Sequence, residues 1–295
     1  MSVPKNEIRY RGYLLHVSHY DPTWCDHKDS EPPFDSAIGC EVVKAMVAVG
    51  MNLLVIDIAD GVRYTAYPEM ARHYTVPMQA LKAVSDAAHA AGIDVVPKLN
   101  FAKSGRNLHD LWMLPHTHPR NCTAGMEEYY RVAKDTIAEL VAVCRPGRFF
   151  HIGMDEDHYR SLPQYVDTIK KLRALVRGHK LRAIMWNDSC HDHIQSLAQV
   201  YAHKCIAAEK LLPKDVVQVL WDYGAVHGEA TRRLAAEKFE LWAAPGQTKE
   251  NVQKWKRAVL KAGGTGLLMT NWLKCAEQNR SAILDKIREL GPYYC

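Results

Sequence analysis

Eight short apolar segments alternate with eight amphipathic segments along the 295-residue chain. Each apolar segment is rich in branched and aromatic side chains and is continuously apolar, which is typical of strands buried on both faces. A helix between consecutive strands forces parallel pairing through right-handed crossovers. The predicted strands cover residues 12–18, 51–59, 93–101, 149–154, 181–187, 215–222, 239–244 and 266–271.

Eight strand–helix units predict the α/β class and a single closed (β/α)8 TIM barrel over residues 1–295. The alternative is an open doubly wound sheet, which usually carries a glycine-rich turn directly after its first strand. Here the residues that follow the first predicted strand, 19–22, read HYDP, and the glycines at 263–264 precede a strand instead. The sequence therefore favours the barrel.

Charge and cysteine usage restrict the partners and the compartment. The net charge of +5 comes from scattered basic residues, so neither nucleic acid nor an anionic membrane is the expected partner. The first 18 residues contain no apolar signal-peptide core, and the eight cysteines form no CxxC pair. We expect a reduced, cytoplasmic protein, with a secreted protein as the alternative, and homo-oligomer formation stays open.

Polar and aromatic side chains gather where the predicted strands end, which is where barrels of this type carry their active sites. Carboxylates interleaved with tryptophans suit a carbohydrate, because flat rings cover the C–H faces of a sugar and acids bind hydroxyls or transfer protons. The candidate site residues are His16, His19, Asp60, Arg63, Asn100, His151, Asp155, Glu156, Trp186, Asp188, Trp221, Asp222 and Trp272.

The most informative segment is HIGMDE at residues 151–156, where a buried strand ends in two adjacent carboxylates. Side chains alternate along a strand, so Asp155 and Glu156 face one ligand only if the chain turns at this point. Two carboxylates held close together repel, which raises the pKa of one of them and suits it to general acid catalysis. A solvated acidic loop is the alternative interpretation of the pair.

This segment resembles the HIGGDE signature of the family 20 glycoside hydrolases, the β-N-acetylhexosaminidases. The resemblance covers the catalytic barrel of that family, and we expect the chain to lack the separate N-terminal domain that the family carries. The similarity continues through other parts of the chain, namely the opening strand from Arg11, the YPEM sequence at 67–70, the third unit at 92–97, the sixth at 212–221 and Trp272.

The resemblance implies an exo-acting hydrolase for terminal β-linked N-acetylhexosamines, with substrate-assisted catalysis. In this family the acetamido oxygen of the substrate attacks the anomeric carbon, an exception to the scheme with two catalytic carboxylates. By position, Glu156 corresponds to the acid/base and Asp155 to the residue that orients the acetamido N–H. The resemblance also places Trp186, Trp221 and Trp272 around the acetamido group, and assigns Asp60, Arg63 and Asp222 to sugar hydroxyls.

Several positions depart from the family pattern. His16 and His19 stand where the family has an Asp and a sugar-gripping Arg, and the usual Tyr after strand seven has no counterpart. Lys98 and Asn100 replace the acids of the third strand, the PGH turn that follows them is missing, and Lys274 replaces a Glu. These changes suggest an altered substrate, with Lys98 and Lys274 as candidates for binding an anionic group. They also keep a non-catalytic carbohydrate-binding barrel as the alternative function.

Metal and thiol chemistry are weaker hypotheses. Histidines are dense at 116–118 and at 191–193, but a catalytic zinc site needs three ligands that converge from fixed elements. Cys190 lies beside an Asp and a His, and we interpret it as an inert thiol because no base is evident. We therefore expect neither a metal nor a cofactor.

Overall fold

A computed structural model describes residues 7–18, 30–103, 111–113, 126–194 and 196–295. Eight parallel strands close into a barrel in chain order, and the last strand pairs with the first. The predicted (β/α)8 barrel is confirmed. The strands are β1 Tyr10–His16, β2 Leu53–Asp57, β3 Asp94–Lys98, β4 Phe149–His151, β5 Arg182–Asn187, β6 Val217–Trp221, β7 Leu241–Ala244 and β8 Gly266–Met269.

A helix follows each strand, as the alternating pattern predicts. The Asp35 carboxylate caps the first helix and accepts hydrogen bonds from the N–H groups of Ala37 and Ile38 at 2.8 and 3.2 Å. The helices are α1 Ser36–Ala48, α2 Met78–Ala90, α3 Met126–Cys144, α4 Leu162–Gly178, α5 Leu197–Glu209, α6 Gly228–Ala236, α7 Lys249–Lys261 and α8 Arg280–Tyr294.

Apolar side chains fill both faces of the strands, which explains their continuous apolar sequences. One set packs between the strands and the helices, and a second set fills the barrel interior. Tyr10, Phe149 and Trp242 close the interior at the amino-terminal end of the barrel, with ring centroids 4.9 to 5.3 Å apart. The opposite end is polar, so the interior is sealed at one end and presents functional groups at the other.

The described part of the chain contains six cysteines, and all of them are free thiols. Burial raises the pKa of the Cys144 thiol to about 12, so this thiol stays protonated at neutral pH. Within the same residues, none of the helices has an apolar stretch long enough to cross a bilayer.

Candidate active site

The backbone turns sharply after β4. Gly153, Met154 and Glu156 have φ angles of 68°, 78° and 53°, in the left-handed region that costs free energy for any residue except glycine. Backbone strain of this kind concentrates at functional sites. Met154 is buried, whereas Asp155 and Glu156 are half-buried. The turn that two adjacent carboxylates need in order to leave the strand together is therefore present.

Replacing Gly153 with Ala is expected to destabilise the fold by at least about 2 kcal/mol. An added Cβ would lie 2.3 Å from the Asn100 Oδ1 atom, and alanine disfavours a φ of 68°. The midpoint of urea unfolding measures the loss. Gly178→Ala is the matched control, because a Cβ there meets no atom within 4 Å. Equal stability of the two variants would contradict the assigned conformation of the turn.

The Asp155 carboxylate is held by a side chain from the neighbouring strand end. The Asn100 amide nitrogen donates a hydrogen bond to Asp155 Oδ1 at 2.8 Å. The Asn100 amide oxygen accepts hydrogen bonds from the N–H groups of Met154 and Ala102, both at 3.1 Å. One carboxamide therefore fixes both the turn after β4 and the acid that follows it.

A second carboxylate, Asp188, connects the ends of three neighbouring strands. It follows β5 and accepts hydrogen bonds from the Glu156 N–H at 2.9 Å and from the Trp221 indole N–H at 2.8 Å. Burial, with a further contribution from the Asp155 carboxylate, raises the pKa of Asp188 well above its ordinary value. Asp188 thus fixes the backbone of Glu156, a candidate acid, and the ring of Trp221.

Three tryptophans surround the mouth of the barrel beside this turn. Trp186 is 2% exposed and belongs to the barrel interior, and the half-buried Trp221 and Trp272 pack against that interior. The ring centroids of Trp186 and Trp272 lie 6.3 Å apart, and the Trp272 indole N–H donates to the Tyr223 hydroxyl at 2.8 Å. The buried Trp186 therefore forms the floor of this mouth, and the half-buried Trp221 and Trp272 form its walls.

A charged layer lies below these rings. The Lys98 ammonium donates to Asp57 Oδ1 at 2.8 Å, and His16 Nδ1 lies 3.4 Å from Asp57 Oδ2. Burial, and then the charge of Lys98, lowers the pKa of His151 well below its ordinary value. His151 Nδ1 accepts the Gly153 N–H at 3.0 Å, so the proton of this neutral ring is on Nε2.

The hypothesis that two lysines bind an anionic group is not supported. Lys98 is neutralised by Asp57, and Lys274 forms an ion pair with the buried Glu31 at 2.6 Å. The Lys274 ammonium also lies 4.8 Å from the centroid of the Tyr74 ring. Both ammonium groups are therefore neutralised by carboxylates of the protein itself.

Replacing Lys98 with Met is expected to destabilise the protein by about 3–5 kcal/mol, because it leaves the Asp57 carboxylate buried without its cation. Adding Asp57→Leu should recover most of that stability. Thermal or urea unfolding of the two single variants and the double variant measures the effect. If the double variant is as unstable as the sum of the two single variants, the pair is not coupled and the assignment is wrong.

Three other candidates from the sequence, Asp60, Arg63 and His19, are not among the residues around the turn after β4 described above. The Asp60 carboxylate accepts hydrogen bonds inside the protein from Ser18, Tyr74 and Arg72 at 2.7, 2.8 and 3.2 Å. The Arg63 side chain is exposed. His19 lies outside the described residues. The Asp60 carboxylate thus has three protein partners, Arg63 is exposed, and the binding of sugar hydroxyls by either residue stays a prediction.

The Asp222 carboxylate follows Trp221 and closes its own loop. It accepts hydrogen bonds from the N–H groups of Gly224 and Ala225, at 2.8 and 3.0 Å, and pairs with His227 Nε2 at 2.7 Å. Although burial acts to raise the pKa of Asp222, these hydrogen bonds hold it at about 2. Both oxygens of Asp222 therefore have protein partners, and its binding to sugar hydroxyls stays a prediction.

Two tyrosines that were not among the candidates from the sequence also lie at the site. Tyr223 accepts a hydrogen bond from Trp272, and its position two residues after the end of β6 was a usable signal. Tyr201 lies on α5, and burial, followed by the charges of Glu156 and Asp188, raises its pKa. Tyr201 is therefore close to the candidate acids, although no strand-end rule points to a residue in a helix.

A metal centre finds no support in the part of the chain that the structure describes. There, no group of three or more His, Cys, Asp or Glu side chains is arranged to hold a metal ion. The histidines at 191 and 193 lie in this part, whereas the segment 116–118 lies outside it.

Neither a protein-family model nor any curated protein matches the chain. Solved structures do match. A GH20 β-N-acetylhexosaminidase from Streptomyces coelicolor A3(2) has a TM-score of 0.69 at 15% identity, over 98% of this chain and 64% of that one. A GH20 exo-β-N-acetylglucosaminidase from Vibrio harveyi has a TM-score of 0.67 at 13% identity, over 97% and 54%.

The chain has the fold of the GH20 hexosaminidase barrel. Dispersin B also matches, with a TM-score of 0.59 at 13% identity, over 97% of this chain and 98% of that one. The chain spans less than two thirds of the Streptomyces and Vibrio proteins. At these identities the likeness concerns the fold alone, and it agrees with the resemblance carried by HIGMDE.

Proposed function

We propose that this chain is an exo-acting glycoside hydrolase that removes a terminal β-linked N-acetylhexosamine by substrate-assisted catalysis. The observation that carries the proposal is the turn after β4, which releases Asp155 and Glu156 from the strand beside the three-tryptophan mouth. The barrel supplies the scaffold in which such strand-end groups converge. The proposed partner is a carbohydrate, and residues 1–295 act as one catalytic domain.

In the first step, the carbonyl oxygen of the acetamido group bonds to the anomeric carbon while the glycosidic C–O bond breaks. The electron pair of that bond leaves with the departing alcohol, which takes a proton from the Glu156 carboxyl group. The product is a bicyclic oxazolinium ion. Asp155 accepts the acetamido N–H and stabilises the positive charge that develops there.

In the second step, the Glu156 carboxylate removes a proton from a water molecule as the water oxygen bonds to the anomeric carbon. The carbon–oxygen bond of the bicyclic ion breaks, which restores the acetamido group and retains the anomeric configuration. One water is consumed, and Glu156 regains its proton for the next cycle.

The surrounding residues suit this chemistry. The planar faces of Trp186, Trp221 and Trp272 can enclose the methyl and amide of an acetyl group, and the neutral His151 adds no charge to that floor. Asp188 holds the Glu156 backbone and the Trp221 ring, so both are positioned before substrate binds. Prearranged groups of this kind lower the cost of reaching the transition state.

A panel of aryl β-glycosides tests the proposal. We expect hydrolysis of the N-acetylglucosaminide or N-acetylgalactosaminide, insensitivity to chelators, and no comparable turnover of the glucoside, which lacks the acetamido nucleophile. Comparable rates on the glucoside and the N-acetylglucosaminide would contradict substrate assistance.

A carbohydrate-binding barrel without turnover is the second candidate. It is favoured by His16, Lys98 and Asn100, which replace sugar-gripping or acidic residues of the family pattern, and by Asp60 and Asp222, whose carboxylates have protein partners. Calorimetric binding of N-acetylhexosamines together with a complete lack of hydrolysis would support this function over the first.

A further inference from the structure

A single buried amide joins the third and fourth strand ends. We propose that Asn100 is a positioning residue for Asp155, and that its carboxamide supplies a hydrogen-bond donor that does not titrate. This inference rests on the proposed function. It adds that the Asn100 carboxamide affects how the rate of hydrolysis depends on pH. It also changes the role of Asn100, which the sequence analysis assigned to substrate binding.

The orientation of the amide is determined by its neighbours. Asn100 is 2% exposed, and its Oδ1 atom lies 3.1 Å from both the Met154 and the Ala102 backbone nitrogens. Backbone N–H groups donate only, so the atom that faces them must be the oxygen. The other end, Nδ2, is therefore the group that lies 2.8 Å from Asp155 Oδ1.

The backbone on both sides keeps this amide in place. The Asn100 carbonyl accepts the Trp112 indole N–H at 2.8 Å. At Gly153 an added Cβ would lie 2.6 Å from the Asn100 Cα, so the turn after β4 packs directly on this residue. Asp155 thus receives a donor from a rigid side chain.

The charges around Asp155 show why an amide matters at position 100. Glu156 is its neighbour in the chain, Asp188 faces it from the end of β5, and Tyr201 and Tyr223 lie within its electrostatic reach. Lys98 is paired with Asp57 in the layer below. A carboxyl group at position 100 would donate to Asp155 only while protonated, because two ionised carboxylates at this distance repel.

Asn100→Asp tests the proposal with a nearly isosteric change. With an aryl N-acetyl-β-glucosaminide, we expect this variant to have near wild-type kcat at acidic pH and to lose roughly tenfold or more as the new carboxyl pair ionises. The wild-type enzyme should not have this additional alkaline limb. The KM value should change less than kcat, because Asp155 acts mainly in the transition state. Parallel pH profiles for the two proteins would overturn the proposal.

A second measurement does not depend on activity or on the folding of that variant. With ¹⁵N-labelled asparagine, the Asn100 side-chain amide protons should shift upfield when Asp155→Ala removes the acceptor, with Asp167→Ala on α4 as the control. An unchanged resonance would overturn the positioning role. If the wild-type protein hydrolyses no N-acetylhexosaminide, the proposed function fails and so does the kinetic role of Asn100, whereas this resonance still reports whether Asn100 holds Asp155.

Discussion

Replacing Glu156 with Gln is expected to lower kcat by roughly 10²–10⁴-fold on glycosides with poor leaving groups. The amide occupies the same space but cannot give a proton to the departing oxygen. Activated aryl glycosides, whose leaving groups need little protonation, should lose much less activity in their first step. Steady-state rates across a series of aryl N-acetyl-β-glucosaminides with different leaving-group pKa values measure the effect.

The matched control is Glu289→Gln, which changes an exposed side chain on α8 and should keep wild-type rates. The thermal midpoint of Glu156→Gln should stay close to that of the wild-type protein, because the Asp188 contact uses the Glu156 backbone rather than its side chain. A loss of equal size on every leaving group would remove Glu156 from the role of acid.

Replacing Asp155 with Asn is expected to lower kcat on N-acetylhexosaminides by roughly 10²–10³-fold. The variant lacks the negative charge that stabilises the developing oxazolinium ion, and its amide can turn a donor towards the acetamido N–H. The contact with Asn100 would also change, because the interaction at 2.8 Å is made with a carboxylate oxygen in the wild-type protein. Initial rates at saturating substrate measure the loss.

Asp167→Asn, on the exposed face of α4, is the control for this variant and should not change the rate. The loss should be specific for acetamido substrates. A glycoside with a hydroxyl at C2, if it is cleaved slowly at all, should be affected far less by Asp155→Asn. Equal losses on both substrates would show that Asp155 does not act through the acetamido group.

The barrel was predictable because its strands are apolar on both faces. The predicted strand 51–59, for example, is observed as Leu53–Asp57. The observed strand is shorter than the predicted one, and at its carboxyl end the chain leaves the sheet after Asp57.

The sequence shows which polar and aromatic side chains follow each strand, but it does not show which residues pair with them. Lys98 pairs with Asp57, which lies 41 positions away, and Lys274 pairs with Glu31, which lies 243 positions away. Local sequence contains no information on such pairs, because only the closure of the barrel brings them together. The hypothesis of an anionic substrate was therefore based on two lysines whose carboxylate partners, Asp57 and Glu31, the sequence does not reveal.

The sharpest test of the proposed mechanism is a crystal structure with a thiazoline analogue of N-acetylglucosamine, which mimics the bicyclic intermediate. If the chain acts by the proposed mechanism, the methyl group of the analogue lies among Trp186, Trp221 and Trp272. The mechanism also predicts that the thiazoline nitrogen lies about 3 Å from an oxygen of Asp155. An analogue that binds elsewhere, or an Asp155 carboxylate that points away from it into solvent, would contradict the proposed mechanism.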